Sequence, residues 1–210
     1  MNRYRVHYSK TSALRYTGNL DIHKIWERSL RRARLPLAYS QGFHPQPRLT
    51  QACPLPLGVL SRAEVIDIWL DAALEPAEII SSLRPALPPG LDVHIIEPVD
   101  LREPSLPTQV TSTEYAVTLL GSEDPAELER RVSQFLSAIE ARRELRGRSY
   151  DLRPLVEELA VLPPDPGGQA RLWMRLKARE GATGRADEVL SALGCDPFDA
   201  RIERTRLIFQ

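Results

Sequence analysis

Cysteine is nearly absent from this sequence. Cys53 and Cys195 are the only two in 210 residues, and their wide separation fits neither a disulfide framework nor the paired spacing of a zinc site. Both are expected as reduced thiols. Lysine is almost as scarce: Lys10, Lys24 and Lys177 are the only three among 28 Lys+Arg. No apolar run reaches the roughly 18 residues of a membrane span, and Met1–Val6 lacks the apolar core of a signal peptide. A soluble, cytoplasmic chain with no membrane partner is expected. No P-loop, Gly-x-Gly-x-x-Gly or Ser-His-Asp pattern occurs. No metal and no cofactor are therefore expected, and no motif names a reaction.

What is present reads as globular: 42% hydrophobic and 27% charged residues leave enough apolar side chain for a core. The formal net charge is zero, but its distribution is uneven. Residues 1–50 hold ten Arg and Lys against Asp21 and Glu27, a net of 10 − 2 = +8, while residues 51–100 hold two Arg against eight acids, a net of 2 − 8 = −6. One reading is a surface that meets an anionic partner; the other is a bipolar surface that compensates itself on folding. Arginine suits bidentate phosphate contact.

Periodicity predicts a repeated element order. Tyr4, Val6 and Tyr8 alternate with Arg5 and His7, a strand pattern. A helix is predicted from Asn19, read as its N-cap, with Asp21 in the first turn and Pro36 as its stop. Its apolar face is Ile22, Ile25, Trp26, Leu30 and Ala33. Strands are predicted at Arg48–Ala52, Glu64–Asp71 and Leu91–Ile96, with a helix over Pro76–Leu87. That order, β-α-β-β-α-β, is the ferredoxin-like unit. Residues 99–113 read as a linker. The order then recurs: strand Glu114–Leu120, helix Pro125–Ile139 capped by Asp124, strands Tyr150–Val161 (broken at Pro154) and Ala170–Ala178, helix Arg185–Leu193, strand Arg201–Phe209. The expected fold is α+β with two tandem ferredoxin-like halves, residues 1–98 and 114–210.

The densest constellation is the first helix and the loop after it. Lys24, Arg28, Arg31 and Arg32 lie about a turn apart and share a face. Tyr39, Gln41, Phe43, His44 and Arg48 follow in a stretch rich in proline and glycine. Cations beside rings are what single-stranded nucleic acid requires, the cations for phosphates and the rings for bases. The alternative is that Phe43 and Tyr39 anchor the loop to the core. Of the four histidines, His44 and His23 are weak catalytic candidates: an imidazole and an arginine beside a phosphodiester supply a general base and a charge stabiliser.

Several of these residues also carry a resemblance. Leu20-Asp21, the Arg-rich helix, Pro36-Leu37 with Tyr39-Ser40, Gln41-Gly42-Phe43 with Pro45 and Pro47-Arg48, Pro54-Leu55-Pro56-Leu57-Gly58, Glu64 with Asp67, Asp151-Leu152-Arg153-Pro154 and Arg204-Thr205 resemble the radical SAM-linked protein family, domain of unknown function 2344. The chain departs from that pattern at Gly18-Asn19, where Ser-His is common, and at His44 and Gln46, where Asn and His are common. The resemblance implies association with a separately encoded radical SAM protein that carries a cobalamin-binding domain. This chain has no three-cysteine cluster for an iron–sulfur centre, so radical chemistry would fall to the other chain. Architecturally, tandem ferredoxin-like units with a basic first helix resemble the RAMP endoribonucleases, without their glycine-rich loop.

The leading expectation is thus a non-catalytic accessory to a cobalamin-type radical SAM enzyme that binds RNA or presents a substrate. A metal-independent, histidine-based endoribonuclease and a protein-interaction scaffold without nucleic acid are the alternatives.

Overall fold

The computed structural model describes residues 1–145, 147–179 and 181–210, apart from the side chains of residues 145 and 148. The chain is a mixed α+β protein that divides into two compact units, Met1–Val110 and Thr111–Gln210.

In the first unit the order is β1 (Asn2–Lys10), α1 (Asn19–Arg32), β2 (Leu49–Gln51), β3 (Leu60–Leu70), α2 (Pro76–Leu83), β4 (Leu91–Val99) and a one-turn α3 (Leu106–Gln109). β1 is central: it pairs antiparallel with β3 on one side and with β4 on the other, while β2 pairs antiparallel with β3. The strand order is β4-β1-β3-β2. The predicted alternation of β1 holds, with Tyr4, Val6 and Tyr8 buried. They pack with Ile22, Trp26 and Leu30 of α1, Ile66, Ile68 and Leu70 of β3, and Ile79 and Leu83 of α2. Each fully buried side chain of this size contributes about 1.5–3 kcal/mol. The Trp26 ring meets the Tyr8 ring edge-on, centroids 4.8 Å apart at 72°.

β3 is buried on both faces, because Asp67, placed on its polar side by alternation, is 0% exposed. Its carboxylate accepts from Arg3 Nε at 2.8 Å and from Arg5 Nε at 3.0 Å. Arg3 also donates to the carbonyl oxygens of Glu103 and Pro104 at 2.9 and 3.0 Å. Part of the sequence's charge asymmetry is therefore neutralised inside this unit, between β1 and β3.

Several boundaries differ from the sequence reading. Gly18, not Asn19, is the N-cap of α1; its carbonyl accepts from Ile22 N at 2.9 Å, and Asn19 is already helical. The helix ends at Arg32, ahead of Pro36, because Arg34 turns left-handed at φ 55°. Residues 99–113 are not a bare linker: Leu106 and Val110 are buried, and the segment contains the end of β4, α3 and the start of the next strand.

The second unit runs β5 (Val110–Leu119), α4 (Pro125–Ser137), β6 (Arg142–Leu145), β7 (Arg148–Asp151), β8 (Val156–Leu162), β9 (Arg171–Arg179), β10 (Ala182–Thr183), α5 (Ala186–Ala192) and β11 (Ala200–Phe209). β5 and β8 both pair antiparallel with β9, and β11 neighbours β5, giving the order β11-β5-β9-β8. Asp124 caps α4 as expected, accepting from Ala126 N at 3.2 Å. The strand expected over 150–161 is broken at Pro154 as anticipated: β7 and β8 flank a 3-10 turn at Arg153–Leu155, where Pro154 cannot donate to a ladder. β6 and β7 pair as an antiparallel hairpin that the sequence pattern does not announce, because its charged residues show no apolar alternation. Among the described residues, no helix is long and apolar enough to cross a membrane.

Candidate nucleic-acid interface

The helix α1 sorts its residues by period. Ile22, Trp26, Ser29 and Leu30 are buried, and Ile25 and Ala33 pack partly against the core. Lys24, Arg28, Arg31 and Arg32 are left on the exposed side. Asp21 stands in the first turn and Arg31 and Arg32 in the last, each complementing the helix dipole. Two surface ion pairs form along the helix: Lys24 with Asp21 at 3.9 Å and Arg31 with Glu27 at 2.7 Å. Both lysine and arginine stay more than half exposed in them, at 64% and 51%. Pairs of this kind are weak and screened by salt, so they yield readily to a polyanion. Arg28 has no partner among the described residues.

After α1 the chain forms a narrow tongue from Ala38 to Arg48. Arg48 N donates to Ala38 O at 2.8 Å, Ser40 N to Gln46 O at 2.8 Å and Gln46 N to Ser40 Oγ at 3.0 Å. Its stem is fastened to β3 by Ala38 N to Trp69 O at 2.9 Å and Trp69 N to Arg48 O at 3.1 Å. Pro45 and Pro47 restrict His44 and Gln46 to extended backbone. Gly42 at the tip has φ 131°, a conformation that a side chain would strain.

Phe43 is fully exposed at 101%. The reading in which it anchors the loop to the core is therefore overturned; the closed stem, not the ring, holds the tongue. Tyr39 is 40% exposed, and the Arg31 guanidinium lies 5.8 Å from its ring centroid. This contact joins the tongue's base to the helix. Arg48 leans elsewhere, 5.2 Å from the Trp69 centroid and 3.0 Å from Met1 Sδ. Arg32 donates to Ala86 O at 3.2 Å. Gln41 and His44 are exposed on the tongue. Among the described residues no hydrogen bond or ion pair reaches His44 or His23, so neither imidazole has the partner that orients a general base. The sequence reading passed over Trp69 and Met1, which support Arg48; only the strand register, placing Trp69 opposite Arg3, brings them there.

Set beside known proteins, the chain superposes on a solved chain from a Cbf5–Nop10–Gar1 complex with a TM-score of 0.50 at 16% identity, over 97% of this chain and 48% of that one. A chain from an archaeal box H/ACA sRNP Nop10–Cbf5 complex gives 0.45 at 11% identity, over 96% of this chain and 46% of that one. The protein spans about half the length of these chains. At such identities the likeness is one of fold alone. No curated protein matches it. A family model described as an uncharacterized protein conserved in bacteria matches residues 3–185, and the chain belongs to that family, domain of unknown function 2344.

Proposed function

We propose that this chain is a non-catalytic RNA-binding accessory protein, and that its partner class is a separately encoded cobalamin-type radical SAM enzyme. One observation carries the RNA reading: a fully exposed Phe43 on a closed tongue, whose base is joined through Tyr39 and Arg31 to a helix face of exposed cations. Cations there meet phosphates, and the rings offer faces on which unstacked bases rest. The isolated state of His23 and His44 favours binding over strand cleavage. Support for the radical SAM partner is the resemblance of the Leu20-Asp21, Gln41-Gly42-Phe43 and Pro54–Gly58 motifs to that family. The proposal takes each unit as a ferredoxin-like half, supported by the matching orders β4-β1-β3-β2 and β11-β5-β9-β8.

The test is fluorescence anisotropy of a short single-stranded RNA against salt concentration. Each neutralised phosphate adds about −0.7 to the slope of log Kobs against log salt. Arg28→Ala should weaken binding at low salt and flatten the slope by about that amount. Phe43→Ala should weaken binding roughly tenfold with the slope unchanged. Absent binding, or binding indifferent to salt, leaves a protein scaffold in its place.

A further inference from the structure

The tongue stands at the C-terminal end of α1, and a second exposed ring stands at the other end. Tyr16 precedes the helix and is 76% exposed. Its neighbour Arg15 is fastened twice to the segment ahead of β3: Arg15 Nε donates to Gly58 O and Gly58 N donates to Arg15 O, both at 3.1 Å. Thr17 N donates to Leu14 O at 3.0 Å and closes the turn that carries the ring. The Arg15 guanidinium lies 5.4 Å from the Tyr16 centroid, as that of Arg31 lies 5.8 Å from the Tyr39 centroid at the tongue's base. An exposed ring braced by a guanidinium thus occurs at both ends of α1.

Between the two ends runs one line of side chains. Leu20, Lys24, Arg28 and Arg31 are all exposed, and their intervals of four, four and three residues set them along one side of the helix. Leu20 heads the line at 77% exposure. Tyr16 is four residues ahead of it, within about 14 Å even for a fully extended chain. A ring at the head, cations along the middle and Phe43 beyond the tail follow the order that a single strand uses, with bases stacked on rings and phosphates held by charge. The 14 residues of α1 rise about 21 Å. A stacked strand carries one phosphate per roughly 3.4 Å, so about six nucleotides cover the helix.

We propose that Tyr16 is a second stacking platform for the same RNA strand that Phe43 engages, and that the strand runs the length of α1. The inference rests on the RNA reading above and adds a minimum length to it. A strand of about six nucleotides meets both rings, and a dinucleotide meets only one.

The test is a set of anisotropy titrations of the full chain with two strands of about twelve nucleotides, roughly twice that span: a single-stranded oligouridylate and a strand of equal length lacking every base. Tyr16→Ala should weaken the oligouridylate roughly tenfold, the scale of one lost base contact. Tyr16→Phe keeps the ring and should bind as the wild type does, and the base-free strand should bind all three alike. Tyr16→Ala combined with Phe43→Ala should weaken the oligouridylate roughly a hundredfold, because two separated contacts add in free energy. Tyr16 is at the surface, so its loss leaves the core intact. A Tyr16→Ala chain that binds the oligouridylate as tightly as the wild type, or that loses the base-free strand equally, overturns the second platform; with Phe43→Ala still weakened, the RNA reading stands. A wild type that binds neither strand overturns both.

Discussion

Asp67 shows how much one carboxylate can hold. It is fully buried and meets two guanidiniums, those of Arg3 and Arg5. Arg3 in turn lies 5.4 Å from the Trp69 centroid. Asp67→Ala would leave Arg3, itself 4% exposed, as an uncompensated buried charge, and should cost about 3–5 kcal/mol in urea unfolding. A loss under about 1 kcal/mol would mean that Arg3 escapes to water when its partner goes. Cys195 makes a different kind of prediction. Burial first, then the Glu123 carboxylate, pushes its thiol above the ordinary range, against the Arg131 guanidinium. The folded value exceeds the unfolded one, so this contribution is complete below the ordinary thiol value of about 8.5 and is lost as pH rises through the folded value. Unfolding free energy should therefore fall as pH climbs past about 8.5, and Cys195→Ala should flatten that limb. An identical alkaline limb in the variant would assign the loss to other groups.

At the scale of elements, α1 was legible because its stripe, Ile22, Trp26 and Leu30, follows the helical period closely and leaves one side for cations. The tongue was half legible. Its prolines and glycine announce a constrained turn, but the bonds that close it, Ser40 to Gln46 and Ala38 to Arg48, join residues whose spacing has no signature. That is why Phe43 was open to a reading as an anchor. The β6–β7 hairpin was invisible for a related reason: Arg142, Arg143 and Glu144 carry no apolar alternation, and pairing alone defines the strands. Stiffness in the tongue has a measurable role. Ser40→Ala combined with Pro45→Gly should loosen it while leaving the core untouched, so thermal melting should hardly move. RNA affinity should drop severalfold, since the loop must then be ordered on binding. Equal affinity would show that the tip acts without preorganisation.

For the whole molecule, the opposed charges of residues 1–50 and 51–100 do two separate jobs. Arg3 and Arg5 answer Asp67 within the sheet, so the cations of β1 are spent on architecture. Those of α1 and the tongue remain at the surface, Lys24 and Arg31 in exposed pairs with Asp21 and Glu27. The element order of the first unit also has a consequence for how the chain is made. Its central strand is the first to be synthesised, yet the partners of β1 lie at Leu60–Leu70 and Leu91–Val99. At about 5–20 residues per second, Tyr4, Val6 and Tyr8 wait several seconds outside the ribosome with their apolar side uncovered. The nascent chain is therefore most exposed to chaperones and to misassociation before β3 and β4 have emerged to cover β1.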